Sequence, residues 1–235
     1  MASTTYTNRL VPLAHRRMFA MELEDVRAYA RHATTLMLDE AVRHEKYVDN
    51  VVAGMSKDEA EAYFENNYDT YELMVRRFPN QQQQSLIVLT YAVIESRLVA
   101  IARTLLKSEQ PGLVLKDLAG DSPFQKARKV ITKVAGLNVP QRLWERVEPF
   151  RLIRNAIVHN AGELPETQPL VEALLKEHAA HIKNSTTGGL TIQPGFVVAF
   201  ADVCEELLED VFAQWIARDE KRAADAAAVA KAIAP

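Results

Sequence analysis

Three side chains with complementary chemistry stand close together in the stretch Arg154-Asn155-Ala156-Ile157-Val158-His159. A guanidinium is a permanent, planar, multi-donor cation suited to carboxylate or phosphate. An imidazole titrates near about pH 6.5, so it can take up and return a proton close to neutrality. On a helix, Asn155 and His159 are four positions apart and become side-by-side neighbours, with Arg151 one turn further back on the same face.

The element that must position them is a helix from about Pro140 to Asn160, with Gly162 just past its end. At about 100° per residue, Leu143, Val147, Phe150, Ile153, Ile157 and Val158 gather on one arc expected to face the core. Arg154 falls near the middle of that arc, while Trp144 and Glu148 lie beside the polar face. A lone desolvated guanidinium costs several kcal/mol, so Arg154 needs a carboxylate, or an interface or cleft that reaches it. Glu95 interrupts the most apolar helix of the chain and faces the same problem with the opposite sign. On the residues alone two readings stand: a structural Arg154–Glu95 pair with His159 as a helix-end cation favoured by the dipole, or a chemical site.

The remaining pattern is helical almost throughout. Residues 1–15 read as an irregular arm and about Arg16 to Val52 as a helix, with His15-Arg16-Arg17 as a basic cluster before it. Ser56 and Glu59 have the spacing of a capping box, opening a helix expected to stop before Pro79. Asn80 to Lys107 follows, with Gln81–Gln84 expected as a solvated first turn. Ser122-Pro123 is a helix start, Ser at N-cap and Pro at N1. A short helix is expected from Leu170 to Lys183, its His178 and His181 solvated, and a single strand or hairpin arm near 187–193. A long helix carrying Phe196, Phe200, Leu207, Leu208, Val211 and Trp215 leads to an Ala-rich tail. The expected fold is an all-α helical bundle with at most a short β hairpin or strand near 187–193. Its expected divisions are an N-terminal helical extension (1–78), a helical domain (79–222) and the tail (223–235).

With 235 residues, 48% of them hydrophobic and only 8 Gly and 10 Pro, the chain can bury a core without disulfide or metal. The one cysteine, Cys204, cannot form an internal disulfide and fits a reducing, cytoplasmic compartment. The start lacks the apolar segment of a secretory signal, and no long uninterrupted apolar run suggests a membrane span. A net charge of −3 argues against a large surface that coats nucleic acid, though a local basic cleft remains compatible with it. No carboxylate cluster or His-x-x-x-His pair suggests a metal site, and no cofactor is expected.

Arg154-Asn155 followed by His159 near a helix end, with a long Glu-bearing apolar helix upstream and another long helix downstream, resembles the HEPN superfamily. The bare spacing also occurs at Arg27 and His32, without that context. The resemblance spans roughly Gln81 to Trp215. It implies a dimeric, metal-independent endoribonuclease with a composite site, in a toxin–antitoxin or phage-defence setting with an antitoxin or defence partner. Under it, His159 is the general acid or base and Arg154 stabilises the charge on the phosphorane. Asn155 orients the His or binds phosphate, with Arg151 and Glu95 in support. A tyrosine two positions after the His, modified in some members, is here Ala161. The resemblance equally admits a non-catalytic module that binds nucleotide or nucleic acid, or assembles a complex.

Overall fold

The computed structural model describes residues 3–164, 169–185 and 189–233. Among them the order is α1 (Ser3–Val52), α2 (Lys57–Glu72), α3 (Phe78–Glu109), α4 (Pro123–Lys129), α5 (Gln141–His159), α6 (Pro169–Glu177), β1 (Ile182–Ser185), β2 (Gly189–Ile192) and α7 (Phe196–Ile233). The fold is all-α with one short antiparallel hairpin, in which Ile182 faces Ile192 and Asn184 faces Leu190. The expected strand near 187–193 is β2, with 187 and 188 outside the described residues. Its partner β1 occupies residues expected at the end of a helix, because α6 stops at Glu177.

Caps act locally, and both expected ones form. Ser56 accepts from the Glu59 amide at 3.4 Å while the Glu59 carboxylate accepts from the Ser56 amide at 2.8 Å. Ser122 accepts from the Gln125 amide at 3.2 Å, ahead of Pro123 at the first helical position. Pro79 does not end its helix. A π-helical turn, Leu73–Arg77, precedes it, and the helical backbone is continuous from Lys57 to Glu109. The wider turn shifts the hydrogen-bond ladder just where proline cannot donate. Nor is the N-terminus an irregular arm: α1 begins at Ser3 and carries Pro12 inside it, with Phe19 and Leu23 buried.

An 18-residue window within Lys57–Glu109 is long and apolar enough to cross a membrane by length and composition, contrary to the expectation from uninterrupted runs. An average tolerates isolated charges that break a run. Of that window 44% is buried within the protein, and Leu86, Ile87, Ile94, Leu98 and Ile101 of α3 are all core residues.

The chain forms two compact units, each assembled from separate segments. One comprises Met1–Glu24, Tyr91–Glu148 and Ala201–Pro235. Its core includes Leu98, Leu105, Val147 and Leu208, with Phe19 against Phe212 and Phe124 edge-on to Trp144. Charged side chains tie its helices together: Arg97 with Glu22, Arg16 with Glu209 at 2.5 Å, and Glu109 with both Arg218 at 3.0 Å and Arg222 at 2.6 Å. The second unit comprises Asp25–Thr90 and Pro149–Phe200. There Phe150 stacks on Phe200 with centroids 3.9 Å apart, and Leu86, Ile87 and Ile153 are buried. His178 is not a solvated residue; it packs against Phe150 and Phe196.

His15, read from sequence as part of a basic cluster ahead of the first helix, lies inside α1 and is half-buried against Trp215 with ring centroids 5.7 Å apart. Its Nε2 lies 3.2 Å from the Thr104 hydroxyl, and its Nδ1 is buried without a partner. Burial, reinforced by the Arg97 charge, holds its pKa below the ordinary imidazole value. The unfolded chain therefore takes up this proton first as pH falls, and the stability His15 contributes is lost as pH drops below about 6.5. The thermal midpoint should fall between about pH 7 and pH 5.5, and His15→Gln should flatten that part of the profile. Calorimetry across the range checks both; an unchanged slope in the variant would remove His15 as the cause.

Candidate functional site

Arg154, Asn155 and His159 occupy the last two turns of α5, in the second unit, together with Arg151. Arg151, Arg154 and Asn155 are half-buried and His159 is exposed. The buried face of α5 differs from the expected arc. Val147, Phe150, Ile153 and Ala156 are buried, while Ile157 is only half-buried and Val158 is 45% exposed. Steps of three residues fall about 60° short of a full turn, so the buried stripe winds around the helix instead of running along it. Arg154 consequently sits on the flank of the stripe. Trp144, expected beside the polar face, is in the core.

That flank position relieves much of the desolvation problem that marked Arg154 out. Its Nη1 donates to Asn155 Oδ1 at 3.0 Å, so the two adjacent side chains of the motif are in direct contact. Among the described residues no hydrogen bond joins Asn155 to His159. Glu95 belongs to the other unit, where its carboxylate accepts from the Tyr91 hydroxyl at 3.4 Å.

His159 is the final residue of α5, at the end where exposed carbonyls favour a positive charge. What fixes this end is a set of backbone bonds around Gly162, the residue expected just past the helix. The Gly162 amide donates back to the Ala156 carbonyl at 2.9 Å, and its own carbonyl accepts from the Leu190 amide of β2 at 3.0 Å. Gly162 has φ 86°, and a Cβ there would lie 3.4 Å from both the Leu190 nitrogen and Gln84 Nε2. Gly189, with φ 69°, approaches the Ala161 and Gly162 carbonyls so closely that a Cβ would sit 3.2 Å from the former.

Two side chains at the start of α3 hold β2 in turn. Asn80 donates to the Leu190 carbonyl at 3.0 Å and accepts from the Ile192 amide at 2.8 Å; Gln84 donates to the same Leu190 carbonyl at 2.9 Å. Gln83 is only 3% exposed and donates to Thr34 at 2.8 Å. The Gln81–Gln84 run is therefore largely structural, not a solvated first turn. The sequence signal that could have found this is the density of amide side chains directly before a strongly apolar helix. Alongside lies a cavity of about 840 Å³ bordered by Arg76, Arg77, Asn80, the four glutamines, Ala161 and Thr191–Pro194. It opens next to the end of α5, two residues beyond His159.

Among the described residues no group of His, Cys, Asp and Glu could hold a metal ion. Comparison of the chain with protein-family models, with curated proteins and with solved structures finds no match.

Ala161 is the one non-glycine residue with positive φ among those described, at 51°. A left-handed conformation costs a residue with a Cβ about 1–2 kcal/mol. Ala161→Gly should therefore raise stability by about 1 kcal/mol, net of glycine's greater chain entropy. Gly162→Ala, one position on, should lower it by about 1–2 kcal/mol. Denaturant unfolding of the pair checks the assignment, which fails if the two changes have the same sign.

Proposed function

We propose that the chain is a metal-independent endoribonuclease of HEPN type that acts as a dimer, with Arg154, Asn155 and His159 contributed by each copy. The observation that carries this reading is the direct Arg154–Asn155 contact one turn before an exposed, helix-terminal His159. The groups needed for cleavage next to a ribose 2′-hydroxyl are a proton carrier and a fixed cation, and here they share the last turns of one helix.

In this reading His159 takes the proton of the 2′-hydroxyl as its oxygen attacks the adjacent phosphorus. The bond from phosphorus to the 5′-oxygen breaks, and a second imidazole, from the partner copy, protonates that leaving oxygen. The products are a 2′,3′-cyclic phosphate and a 5′-hydroxyl end. The Arg154 guanidinium meets the negative charge that gathers on the equatorial oxygens. Asn155 holds that guanidinium in place. The half-burial of Arg154 favours this role, since a partly desolvated cation interacts more strongly with a phosphorane than a fully hydrated one. Membership of a toxin–antitoxin or phage-defence system, with a protein partner and a cytoplasmic location, belongs to the same proposal and follows from the resemblance.

Incubation of the purified protein with RNA in EDTA should give fragments with cyclic-phosphate and 5′-hydroxyl ends. His159→Ala and Arg154→Ala should each lower the rate by about 10² or more, with circular dichroism unchanged. Cleavage that persists at full rate in both variants sinks the proposal. Retained RNA affinity with no product from the wild type would point instead to a non-catalytic binding module. A loss of several kcal/mol in stability on Arg154→Ala would point to a structural role for Arg154 in place of a catalytic one.

A further inference from the structure

We infer a second anion site, independent of the α5 terminus and specific for phosphate-bearing ligands, in the first unit between α4, the turn that follows it and the start of α5. A cavity of about 540 Å³ opens there, lined by Arg128, Lys129, Thr132, Lys133, Asn138 and Trp144 among others. None of its lining residues is acidic. Among the described residues no carboxylate comes within ion-pairing distance of Arg128, Lys129 or Lys133. A cavity of this size accommodates a nucleotide or a few linked phosphates.

The cations are placed so that an anion would relieve a mild repulsion. Lys129 and Lys133 are four residues apart and so are neighbours on one face, where like charges repel. Lys129 spends one of its three donors on the Ala119 carbonyl at 2.7 Å, and Lys133 has no partner among the described residues. Arg128 lies over the Trp144 ring, 5.4 Å from its centroid, and donates to the Gln141 side chain, which fixes its planar fork.

Trp144, only 1% exposed, lines the cavity with Arg128 held over its ring. The backbone here is also unusual, since α4 passes into a π-helical turn, Val130–Val134, that carries Thr132 and Lys133. Such turns recur at functional sites. Three cations, the Thr132 hydroxyl and the Asn138 amide, with no carboxylate in the lining, form a set of donors that suits an anion with several acceptor oxygens. Because Trp144 is only 1% exposed, with Arg128 over its ring, it is not offered for base stacking. Recognition is therefore of the phosphate and not of the base.

Titration of the full chain with inorganic pyrophosphate, and separately with an oligouridylate of about a dozen nucleotides, tests the site by calorimetry and tryptophan fluorescence. The chain has two tryptophans, so Trp144→Phe assigns the optical signal. Saturable binding is expected for one or both probes. Pyrophosphate binding identifies a small free ligand; binding of the oligonucleotide alone identifies a polynucleotide backbone. The exposed double variant Lys129→Gln/Lys133→Gln, folded by circular dichroism, should weaken the affinity by about tenfold or more. The Arg154→Ala/His159→Ala variant should leave the pyrophosphate affinity intact, and the oligonucleotide titration is run in that variant, so that binding and cleavage at the proposed nuclease centre do not contribute. No saturable binding of either probe overturns the inference, as does an affinity that the lysine variant leaves unchanged.

Discussion

The carbonyls of the last turn of a helix have no amide partners within it, and where that end is partly buried something outside must supply them. In this protein the demand falls on the end of α5, and the answer organises the second unit. The chain turns back through Gly162 to bond Ala156, the Gly162 carbonyl takes the amide of Leu190, and Asn80 and Gln84 take up the Leu190 carbonyl. A helix end, a hairpin and the beginning of another helix are thus joined by backbone groups and two amide side chains. Gly162 and Gly189 both hold the left-handed backbone that a Cβ strains, and at Gly189 a Cβ would also press on the Ala161 and Gly162 carbonyls, so glycine suits both positions. The orientation of His159, at the tip of the same helix, depends on this closure more than on any contact of its own.

What was legible in the sequence was what is decided over a few residues. Ser56 with Glu59, and Ser122 with Pro123, announce helix starts because the groups they satisfy lie within one turn. The Gly162 stop was equally local. The body of α1 from Arg16 to Val52, and most of α3 and α7, were readable from the scarcity of glycine; the start of α1 before Arg16 and the run of α7 past Arg222 were not. Features that depend on partners distant in the chain were not. Asn80 and Gln84 look like ordinary polar residues until β2, more than a hundred positions later, presents unpaired backbone to them. Pro79 reads as a stop unless a π-helical turn absorbs it, and no local residue type announces such a turn.

The buried face of α5 is the instructive error. Counting large apolar residues put Ile157 and Val158 inward and Arg154 among them. Ala156, too small to weigh in that count, is the residue actually buried there. Arg154, Asn155 and His159 stand in the expected helix and near its end, but the reason Arg154 seemed anomalous has changed. It is not a charge stranded in the core; it is a half-buried charge held by the residue next to it.

Adjacent positions on a helix point about 100° apart, so side chains at i and i+1 seldom meet. Arginine is long enough to fold round its own helix and reach a short neighbour, and Arg154 does so. The contact fixes one edge of the guanidinium and limits the rotamers it samples before any ligand arrives. A cation whose ordering cost is met in the free protein binds an anion with less entropic loss than one that must be ordered by it. Asn155 therefore bears on Arg154, and the motif is a held cation one turn from an exposed imidazole. Under the proposed function that arrangement suits a site that a second molecule completes, because the charged group is set in advance while the imidazole stays open to solvent at the helix tip.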